Sequence, residues 1–307
     1  MTDVILGLDG GGTQTRAAVA AASGETIGRG GAGACNLAAV QPVEALRAAL
    51  AAADLALREA GQDRADVAAL CAGVAGVSYT ERREQFEAGL QDAFPRALVA
   101  VEPDYVVALA GATGGRPGVI VIAGTGSAAY GENGLGERHR TGAYGYLIDD
   151  GGSGYGVGRA ALAAVLRATD GTGEPTRLSA RILDAFGLSD PAALIPAVYG
   201  GKLSRVEIAG LSRTVAEAAQ EEGDAVASAI LMRAGGVLAH LANGVTKRLF
   251  AGAEAQFPVV PIGGLWNAGP LLTDVFTRSL RRFAPTAELT PPLQSPVEGA
   301  VRRAMTL

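Results

Sequence analysis

Residues 9–15, Asp-Gly-Gly-Gly-Thr-Gln-Thr, constrain the fold most, because they form a glycine-rich turn between two apolar segments. Residues 4–8 before the turn and residues 17–20 after it both read as buried strands. A strand, a triple-glycine turn and a second strand predict a hairpin whose tip is bare backbone. The N–H groups of such a tip, helped by the hydroxyls of Thr13 and Thr15, can approach phosphate oxygens closely. The alternative is a turn without a ligand, because glycine-rich hairpin turns are common.

The same pattern occurs a second time, near the middle of the chain. Residues 119–123 form another apolar run, residues 124–127 read Gly-Thr-Gly-Ser, and residues 128–131 form another candidate strand. Two such hairpins predict two related halves, whose tips would face each other across a cleft and hold the β- and γ-phosphates of a nucleotide. The pattern is neither a Walker A loop nor a dinucleotide fingerprint, because the glycines lie between strands and no lysine follows them in the required spacing.

These paired hairpins resemble those of the sugar kinase/heat-shock ATPase/actin superfamily. Within it, the chain is most similar to the N-acetylglucosamine kinase-like branch, a BadF/BadG/BcrA/BcrD-type ATPase family that also includes activator ATPases of benzoyl-CoA reductase and hydroxyacyl-CoA dehydratases. The resemblance covers nearly the whole chain and implies an α/β, two-domain actin-like (ribonuclease H-like) ATPase fold with an interdomain cleft. The matching segments are residues 9–15, 36, 104, 124–127, 145–153, 208–211 and 262–267.

The resemblance also implies an activity and a set of site residues. It implies an ATP-dependent amino-sugar kinase that phosphorylates glucosamine or N-acetylglucosamine on the 6-hydroxyl. Asp104 is then the catalytic base that accepts the proton of the sugar hydroxyl, and Asp9 organises Mg²⁺ beside the first tip. The expected ATP-binding residues are Gly11, Gly12, Thr13, Gln14, Thr125, Gly126, Ala209, Gly263, Gly264 and Asn267. The expected sugar-binding residues are Asn36, Asp104, Ser127, Ala143, Tyr144 and Asp150.

Each of the polar site residues also has a purely structural interpretation. Asp104 lies where a helix is predicted to begin, and Asp is a good helix N-cap. Thr13 and Thr125 are common turn residues whose hydroxyls can be satisfied locally, and Asn36 can stabilise its own turn. Asp150 can cap a turn in a glycine-rich loop. Trp266, in the segment that resembles an adenosine loop, is expected in the core rather than stacked on a purine.

Residues 142–154 depart from the pattern of the resembling family, which is close to G-W-G-x-x-x-G-D-E-G-S. Ala143 stands where the first Gly is usual and Tyr144 where Trp is usual. Asp149 replaces a Gly, and Gly151 replaces a Glu. Our hypothesis is that the additional carboxylate of Asp149 attracts the free ammonium of glucosamine rather than an acetamide.

Length and composition are consistent with a folded two-domain protein. The chain has 307 residues, of which 49% are hydrophobic and only 5% aromatic, so disorder is not expected. The Gly/Pro-rich run at residues 114–118 predicts the linker. We therefore expect an N-terminal domain over residues 1–114, a larger C-terminal domain over residues 115–292, and a last helix within residues 293–307 that packs back on the first domain.

Charge and hydropathy limit the expected partners to small molecules and a second copy of the chain. The net charge of −5 and the lack of a basic stripe argue against nucleic acid. No uninterrupted apolar stretch reaches about 18 residues, and residues 1–10 do not read as a signal peptide, so we expect a cytoplasmic protein without a membrane span. The family resemblance suggests a homodimer.

The cysteines and histidines do not form a recognisable catalytic or metal-binding motif. Cys35 and Cys71 are not spaced as C-x-x-C, so we expect two free thiols. His139 is expected in a loop or hairpin tip, and His240 on a helix. An activator ATPase, which holds an iron–sulfur cluster across a dimer, is a second candidate function, but both cysteines precede the second hairpin, away from where that cluster would lie. A kinase for another hexose, such as N-acetylmuramic acid, and a non-catalytic sugar sensor are two further candidate functions.

Overall fold

The chain forms two compact α/β units. A computed structural model describes residues 3–307, and contacts within it divide the chain into two units. The first comprises the residues up to Pro117 together with Pro291–Leu307, and the second comprises Gly118–Thr290. The limits expected from the sequence, at 114/115 and 292/293, lie close to these boundaries.

A five-stranded mixed sheet forms the centre of the first unit. Its strands are β1 (Val4–Gly10), β2 (Thr15–Ala21), β3 (Thr26–Ala32), β4 (Val67–Val74) and β5 (Leu98–Pro103), in the order β3-β2-β1-β4-β5. The strands β1 and β2 form the predicted hairpin, in which Gly10 pairs with Thr15 at the turn, and β3 extends it to an antiparallel meander. The strands β4 and β5 are parallel to β1, so the carboxyl ends of three strands lie at one edge.

Helices cover both faces of this sheet. They are α1 (Pro42–Ala60), α2 (Thr80–Ala93), α3 (Asp104–Thr113) and α10 (Pro296–Ala304), with a 3₁₀ turn at Arg64–Asp66. The first of these begins at Pro42, because Gln41 and Glu44 form a capping box and Pro occupies the first helical position. The last packs on β1, where the backbone of Val301 approaches Gly7 too closely for any side chain there.

The high alanine and glycine content allows this close packing. Gly28 and Gly30 of β3 face α1, and a Cβ atom at either position would collide with the backbone oxygen of Ala56 or Ala52. The buried face of α1 consists mainly of alanine, so the helix axis can lie unusually near the sheet. Small residues on both surfaces thus allow close contact between α1 and the sheet.

The second unit is built around a sheet with the same topology. Its strands are β6 (Gly118–Ala123), β7 (Ser127–Glu132), β8 (Arg138–Gly142), β9 (Phe257–Ile262) and β10 (Ala287–Leu289), in the order β10-β9-β6-β7-β8. The strands β6, β7 and β8 form an antiparallel meander, and β9 is parallel to β6. The pairing therefore repeats that of the first unit, so the prediction of two related halves is confirmed.

The second unit contains most of the helices. They are α4 (Gly154–Thr169), α5 (Leu178–Ala185), α6 (Leu194–Tyr199), α7 (Arg205–Glu221), α8 (Ala225–Leu249) and α9 (Pro270–Phe283), with 3₁₀ turns at Pro191–Ala193 and Gly264–Ala268. Among residues 3–307, α8 alone is long and apolar enough to cross a membrane by itself, and one bent helical pair, Leu178–Phe186 with Pro191–Tyr199, passes the same test if taken as a single span. The core helix of a globular domain passes this test equally, and Leu231, Leu238 and Val245 of α8 belong to the buried core of the second unit.

The structure corrects or extends several expectations for the second unit. His139 is not in a loop or hairpin tip: it lies in β8, because the polar residues of β8 form the edge of the sheet, where charged side chains are tolerated. The helix α9 and the strand β10 are further elements that the sequence analysis did not predict.

Two expectations for single residues of the second unit are confirmed. His240 is helical, as predicted, and its Nδ1 lies 2.8 Å from the carbonyl oxygen of Gly236. Trp266 packs against Phe276 and donates to the carbonyl oxygen of Val121, which confirms its core role.

Candidate active site

The register of the first sheet gathers the predicted site residues of the first unit. Gly10 of β1 pairs with Val74 of β4, and Val74 pairs with Pro103 of β5, so these three strands end in one row. Asp9 lies one residue before the row, and Asp104 lies one residue after it. In parallel α/β sheets, ligands bind at the carboxyl ends of the strands, so this edge is the candidate site of the first unit.

The first tip is a tight turn anchored on both sides. The N–H of Gly11 donates to the carbonyl oxygen of Gln14 at 3.0 Å, and the N–H of Cys35 donates to the carbonyl oxygen of Gly11 at 2.9 Å. Thr15 is buried, and its hydroxyl donates to the carbonyl oxygen of Gly33. The hydroxyl of Thr13 is exposed and makes no hydrogen bond within residues 3–307. Of the two threonines, only Thr13 has a hydroxyl available for a ligand.

Asp9 is a largely buried carboxylate with an unusual proton affinity. Its side chain is 17% exposed, and its Oδ2 lies 3.9 Å from Nη1 of Arg16. Burial raises the pKa of Asp9 to about 6, against the opposing effect of Arg16, and the nearby charge of Asp104 raises it further. The two carboxylates are thus close enough to interact electrostatically.

Asp104 is the first residue of α3, which follows β5 without an intervening loop. The N-cap of α3 is Pro103, so the interpretation of Asp104 as a helix N-cap is wrong. The Asp104 Oδ1 instead accepts a hydrogen bond of 2.9 Å from the N–H of Tyr105, within the first turn of the helix. The carboxylate is half-buried in the first turn of the helix.

Asn36 stabilises its own turn and also directs its amide toward the first tip. Its Oδ1 accepts a hydrogen bond of 2.9 Å from the N–H of Ala38, which is the structural role expected of an asparagine in a turn. Asn36 also forms a β-bridge with Ala75, directly after β4, which holds it at the same sheet edge. Its Nδ2 lies 3.7 Å from the position that a Cβ atom of Gly12 would occupy, so the amide faces the first tip.

The residues at this edge fit a magnesium ion that is held mainly by a nucleotide. Residues 3–307 contain no group of three His, Cys, Asp or Glu side chains that could form a complete metal site. Mg²⁺ commonly takes one or two carboxylates from the protein, and phosphate oxygens and water complete its shell. Asp9, a largely buried carboxylate beside a glycine-rich tip, has the chemistry of one such ligand.

The second tip is held by backbone hydrogen bonds to its neighbours. The N–H of Gly124 donates to the carbonyl oxygen of Gly126, and the N–H of Gly154, at the start of α4, donates to the carbonyl oxygen of Gly124. Gly263 has a φ of 111°, and a Cβ atom there would collide with the carbonyl oxygen of Ala123. The segment that resembles an adenosine loop therefore adjoins the second tip. Thr125 is exposed, and its hydroxyl makes no hydrogen bond among the described residues.

Asp150 fastens the second tip to the glycine-rich loop that follows β8. Its Oδ1 accepts hydrogen bonds from the N–H of Ser127 at 2.5 Å and from the hydroxyl of Ser127 at 2.9 Å. The side chain is 3% exposed, and burial raises its pKa while the bonds from Ser127 oppose that shift. Asp150 therefore caps a turn, as its structural interpretation predicts. These hydrogen bonds occupy the N–H and hydroxyl of Ser127 and the Oδ1 of Asp150. Sugar contacts by these two residues stay a prediction.

Arg205 belongs to this cluster, although the sequence reasoning missed it. Its Nη2 lies 3.8 Å from Oδ2 of Asp150 and 3.4 Å from the position that a Cβ atom of Gly126 would occupy. The guanidinium also lies over the ring of Tyr146, 5.1 Å from its centroid. A signal was present: Ser204 and Glu207 form a capping box, which puts Arg205 at a helix N-terminus where a cation is disfavoured.

Other predicted residues of the second unit lie around the start of α4 and the loop after β9. Ala209 is buried in the first turns of α7, and its carbonyl oxygen lies 3.1 Å from the position of a Cβ atom on Gly154. Gly264 and Asn267 are exposed in the 3₁₀ turn. Tyr144 is 57% exposed in the loop after β8. The structure thus brings Gly126, Asp150, Gly154 and Gly263 near one tip and leaves Tyr144 and Asn267 on the surface.

Ala143 is strained, which gives the departure from the family's glycine a physical meaning. Among residues 3–307 it is the one non-glycine residue with a positive φ, at 57°. An alanine in this region costs more than glycine, so we expect Ala143→Gly to raise the free energy of unfolding of the second unit by about 1 kcal/mol. Denaturant titration measures this. Ala251→Gly, in an exposed turn without positive φ, is the control and should be neutral or destabilising, and equal effects of both changes would contradict the strain.

Asp149 is exposed in the loop that holds Asp150, and its ammonium role stays a hypothesis. Its Oδ1 accepts a hydrogen bond from the N–H of Gly151, and its side chain lines a groove beside α4 and α8. Because exposed charges are screened, we expect Asp149→Gly to change the ratio of kcat/KM for glucosamine to that for N-acetylglucosamine by less than about twofold. A fall in this ratio of about tenfold or more would support the hypothesis.

Both cysteines are buried free thiols, as predicted. Burial raises the pKa of Cys35 and of Cys71 to about 12. Both thiols are therefore protonated at neutral pH, as is usual for buried cysteines in the core.

Comparison with known proteins matches the chain to one family and to relatives that are named sugar kinases. Residues 6–302 match the BadF/BadG/BcrA/BcrD ATPase family. The chain is 31% identical to the N-acetylmuramic acid/N-acetylglucosamine kinase of Clostridium acetobutylicum, over 97% of this chain and 96% of the relative. It is 33% identical to the glucosamine kinase GspK of Vibrio cholerae, over 59% of this chain and 60% of that protein.

The solved structures agree on the fold. A candidate N-acetylglucosamine kinase from Chromobacterium violaceum superposes with a TM-score of 0.79 at 28% identity, and the match covers 98% of both chains. The α/β architecture with two mixed sheets is that of actin-like sugar kinases. From the match over residues 6–302 and this fold, we conclude that the chain belongs to the BadF/BadG/BcrA/BcrD ATPase family.

Proposed function

We propose that the protein is an ATP-dependent amino-sugar kinase that phosphorylates glucosamine or N-acetylglucosamine on the 6-hydroxyl. Full-length relatives that are named kinases for these sugars support the class of reaction. The observation that carries the proposal is the pair Asp9 and Asp104, whose charges interact at the end of three parallel strands beside a glycine-rich turn. One carboxylate is available for a metal–nucleotide complex and the other for the hydroxyl of an acceptor.

In this proposal, the residues of the chain divide the work of phosphoryl transfer. Asp104 orients the sugar hydroxyl and takes its proton as the oxygen bonds to the γ-phosphorus, and ADP leaves with the electrons of the broken P–O bond. A weakly basic carboxylate suffices, because the loose transition state depends mainly on positioning and charge. The exposed backbone of both tips, with Thr13 and Thr125, binds phosphate oxygens. Asp9 would hold Mg²⁺ when the nucleotide binds, and the ion would supply positive charge against the phosphoryl group.

Arg205 has a proposed role in holding the nucleotide. A guanidinium beside Gly126 can pair with phosphate, and its contact with Asp150 and Tyr146 holds it there. We expect Arg205→Gln to raise the KM for ATP about tenfold, because one charge-assisted hydrogen bond to the nucleotide is lost. The KM for the sugar should stay nearly unchanged. Arg213→Gln, an exposed change on the same helix, is the matched control. An unchanged KM for ATP in Arg205→Gln would remove Arg205 from the site.

The alternative functions fit the chain less well. The activator ATPases need cysteine ligands for a cluster, whereas Cys35 and Cys71 are buried in the first unit and both precede the second hairpin. A kinase for another hexose remains within the proposal, because one relative is named for N-acetylmuramic acid as well as N-acetylglucosamine. The exposed hydroxyls at both tips favour a catalyst over a non-catalytic sugar sensor.

The test of the proposal is ADP release from Mg-ATP across a panel of sugars. The panel contains glucosamine, N-acetylglucosamine, N-acetylmuramic acid, N-acetylmannosamine and glucose, with a no-sugar control. We expect at least one hexosamine to raise ADP release far above the control. ADP release that is equal with and without every sugar would contradict the kinase and favour an ATPase of another kind.

Three further properties are proposed from the family resemblance. We propose that Mg²⁺ is required, that the protein acts in the cytoplasm, and that it forms a homodimer. Titration of activity with a chelator tests the first property, cell fractionation the second, and light scattering of the purified chain the third.

A further inference from the structure

A groove in the second unit has no role in the proposed reaction. It lies along α4 and α8, has a volume of about 990 Å³, and is also lined by residues 173–175. Its lining includes neither the second tip at residues 124–127 nor Gly263 and Gly264. The volume lies in the range of cavities that hold small organic ligands.

The floor of the groove is apolar. Val157 and Ala164 of α4 and Ile230, Ala234 and Val237 of α8 line it, and these side chains are buried or half-buried. Apolar side chains in a concave surface favour a ligand that has a hydrocarbon portion, because burial of that portion removes apolar area from water.

The rim of the groove carries three arginines. Arg159 and Arg167 lie on α4, eight residues apart and so on one face of the helix, and Arg233 lies on α8 opposite them. Within the part of the chain that the structure describes, none of these guanidinium groups has a hydrogen bond or an ion pair. Arg181, by contrast, contacts Glu217, Glu221 and Glu222 on the same unit.

The charge of the lining is positive on balance. Three arginines stand against two carboxylates, Asp149 and Glu174, which leaves one net positive charge. The carboxylate of Asp149 is already engaged by the N–H of Gly151. Unpaired guanidinium groups bind phosphate and carboxylate groups through forked hydrogen bonds, so the rim is suited to an anionic head group.

We propose that this groove is a binding site for a small organic anion, with a phosphate or carboxylate head group on the arginine rim and an apolar body on the floor. The site adjoins the loop that holds Asp150, since Asp149 and Gly151 both line it. The inference does not depend on the proposed kinase activity, because binding at the groove requires neither ATP nor sugar.

The test is calorimetric titration of the full-length protein with n-hexyl phosphate, inorganic phosphate and hexan-1-ol. We expect n-hexyl phosphate to bind at least about tenfold more tightly than either of the others, because only it uses both the rim and the floor. The double variant Arg159→Gln/Arg233→Gln removes the head-group contacts, and Ala229→Trp fills the groove while leaving the arginines in place. Each should weaken n-hexyl phosphate binding at least about tenfold.

Two control variants separate the groove from the proposed active site. Arg213→Gln removes an exposed arginine outside the groove, and Thr125→Ala removes a hydroxyl of the second tip. Both should bind n-hexyl phosphate as the unaltered protein does. The proposal is overturned if both groove variants bind n-hexyl phosphate as tightly as the unaltered protein does. It is also overturned if binding is lost only in Thr125→Ala.

A second copy of the chain is the competing occupant. Light scattering of the unaltered protein and of Ala229→Trp distinguishes it. If the protein fails to bind n-hexyl phosphate, and Ala229→Trp converts a dimer to a monomer, the groove is an interface between copies and the proposal is wrong. If it neither binds the probe nor changes its assembly state, the proposal is wrong as well.

Discussion

Asp104→Asn is expected to lower kcat at least about 100-fold, the usual contribution of a positioned general base, while the KM for ATP changes little. The asparagine can still accept the hydrogen bond from the N–H of Tyr105, so the start of α3 is preserved. What it loses is the ability to take the proton of the acceptor hydroxyl. The measurement is steady-state ADP release at saturating Mg-ATP with the preferred sugar, and thermal unfolding confirms that the variant is folded.

Glu102→Gln is the matched control for this prediction. It makes the same carboxylate-to-amide change two residues earlier in β5, and Glu102 pairs with Arg303, with Oε1 and Nη2 3.4 Å apart. The control should lose a little stability and keep most of its kcat. If Asp104→Asn keeps more than a third of the original kcat, Asp104 is not the base, and its place at the sheet edge has another purpose.

Asp9→Asn is expected to abolish turnover and to make the protein more stable. Burial raises the pKa of Asp9 from 3.8 to about 6, so the folded state holds its proton more tightly than the unfolded state does. Stability from this group is therefore present at low pH and is lost as the pH rises through about 4 to 6. Relative to a side chain that stays neutral, Asp9 lowers the unfolding free energy by about 3 kcal/mol at pH 8 and by roughly half of that at pH 5.

Replacing the carboxylate with an amide removes this cost. The gain in unfolding free energy of Asp9→Asn over the unaltered protein should thus be larger at pH 8 than at pH 5, and denaturant titration without nucleotide at both pH values measures it. Asp92→Asn, an exposed change on α2, should show no such dependence. A variant that is less stable than the unaltered protein at pH 8 would show that the charge of Asp9 is well solvated or paired in the folded state. A variant that keeps full kcat would remove Asp9 from the metal site.

The central parts of both sheets could be predicted from the sequence, because their strands are continuous apolar runs. The runs at residues 4–8 and 119–123 correspond to β1 and β6, which are buried on both faces. The edge strand β8 could not be found in this way, since Arg138, His139 and Arg140 carry the polar character of a loop. The helix α9 was overlooked although Leu272, Phe276 and Leu280 recur with a helical period.

The site residues also differ in how far a local sequence pattern reveals them. Asp9 stands out locally, because it closes an apolar run and opens a triple-glycine turn, whereas the role of Asp104 is implied by the family resemblance. Arg205 carries one local signal, a cation at a capped helix N-terminus, but its contact with Asp150 forms only after the chain has passed through three helices. The backbone strain at Ala143 is invisible in the sequence alone and becomes meaningful only beside the glycine of the resembling family.

The most direct test of the proposed kinase activity compares the amounts of ADP, phosphorylated sugar and free phosphate formed in one reaction. The protein is incubated with Mg-ATP and the sugar that gives the fastest ADP release, and the products are separated and weighed by mass spectrometry. The account predicts one hexosamine phosphomonoester for each ADP formed, with phosphate on the 6-position and little free phosphate. ADP that forms together with an equal amount of inorganic phosphate, and no phosphorylated sugar, would contradict it.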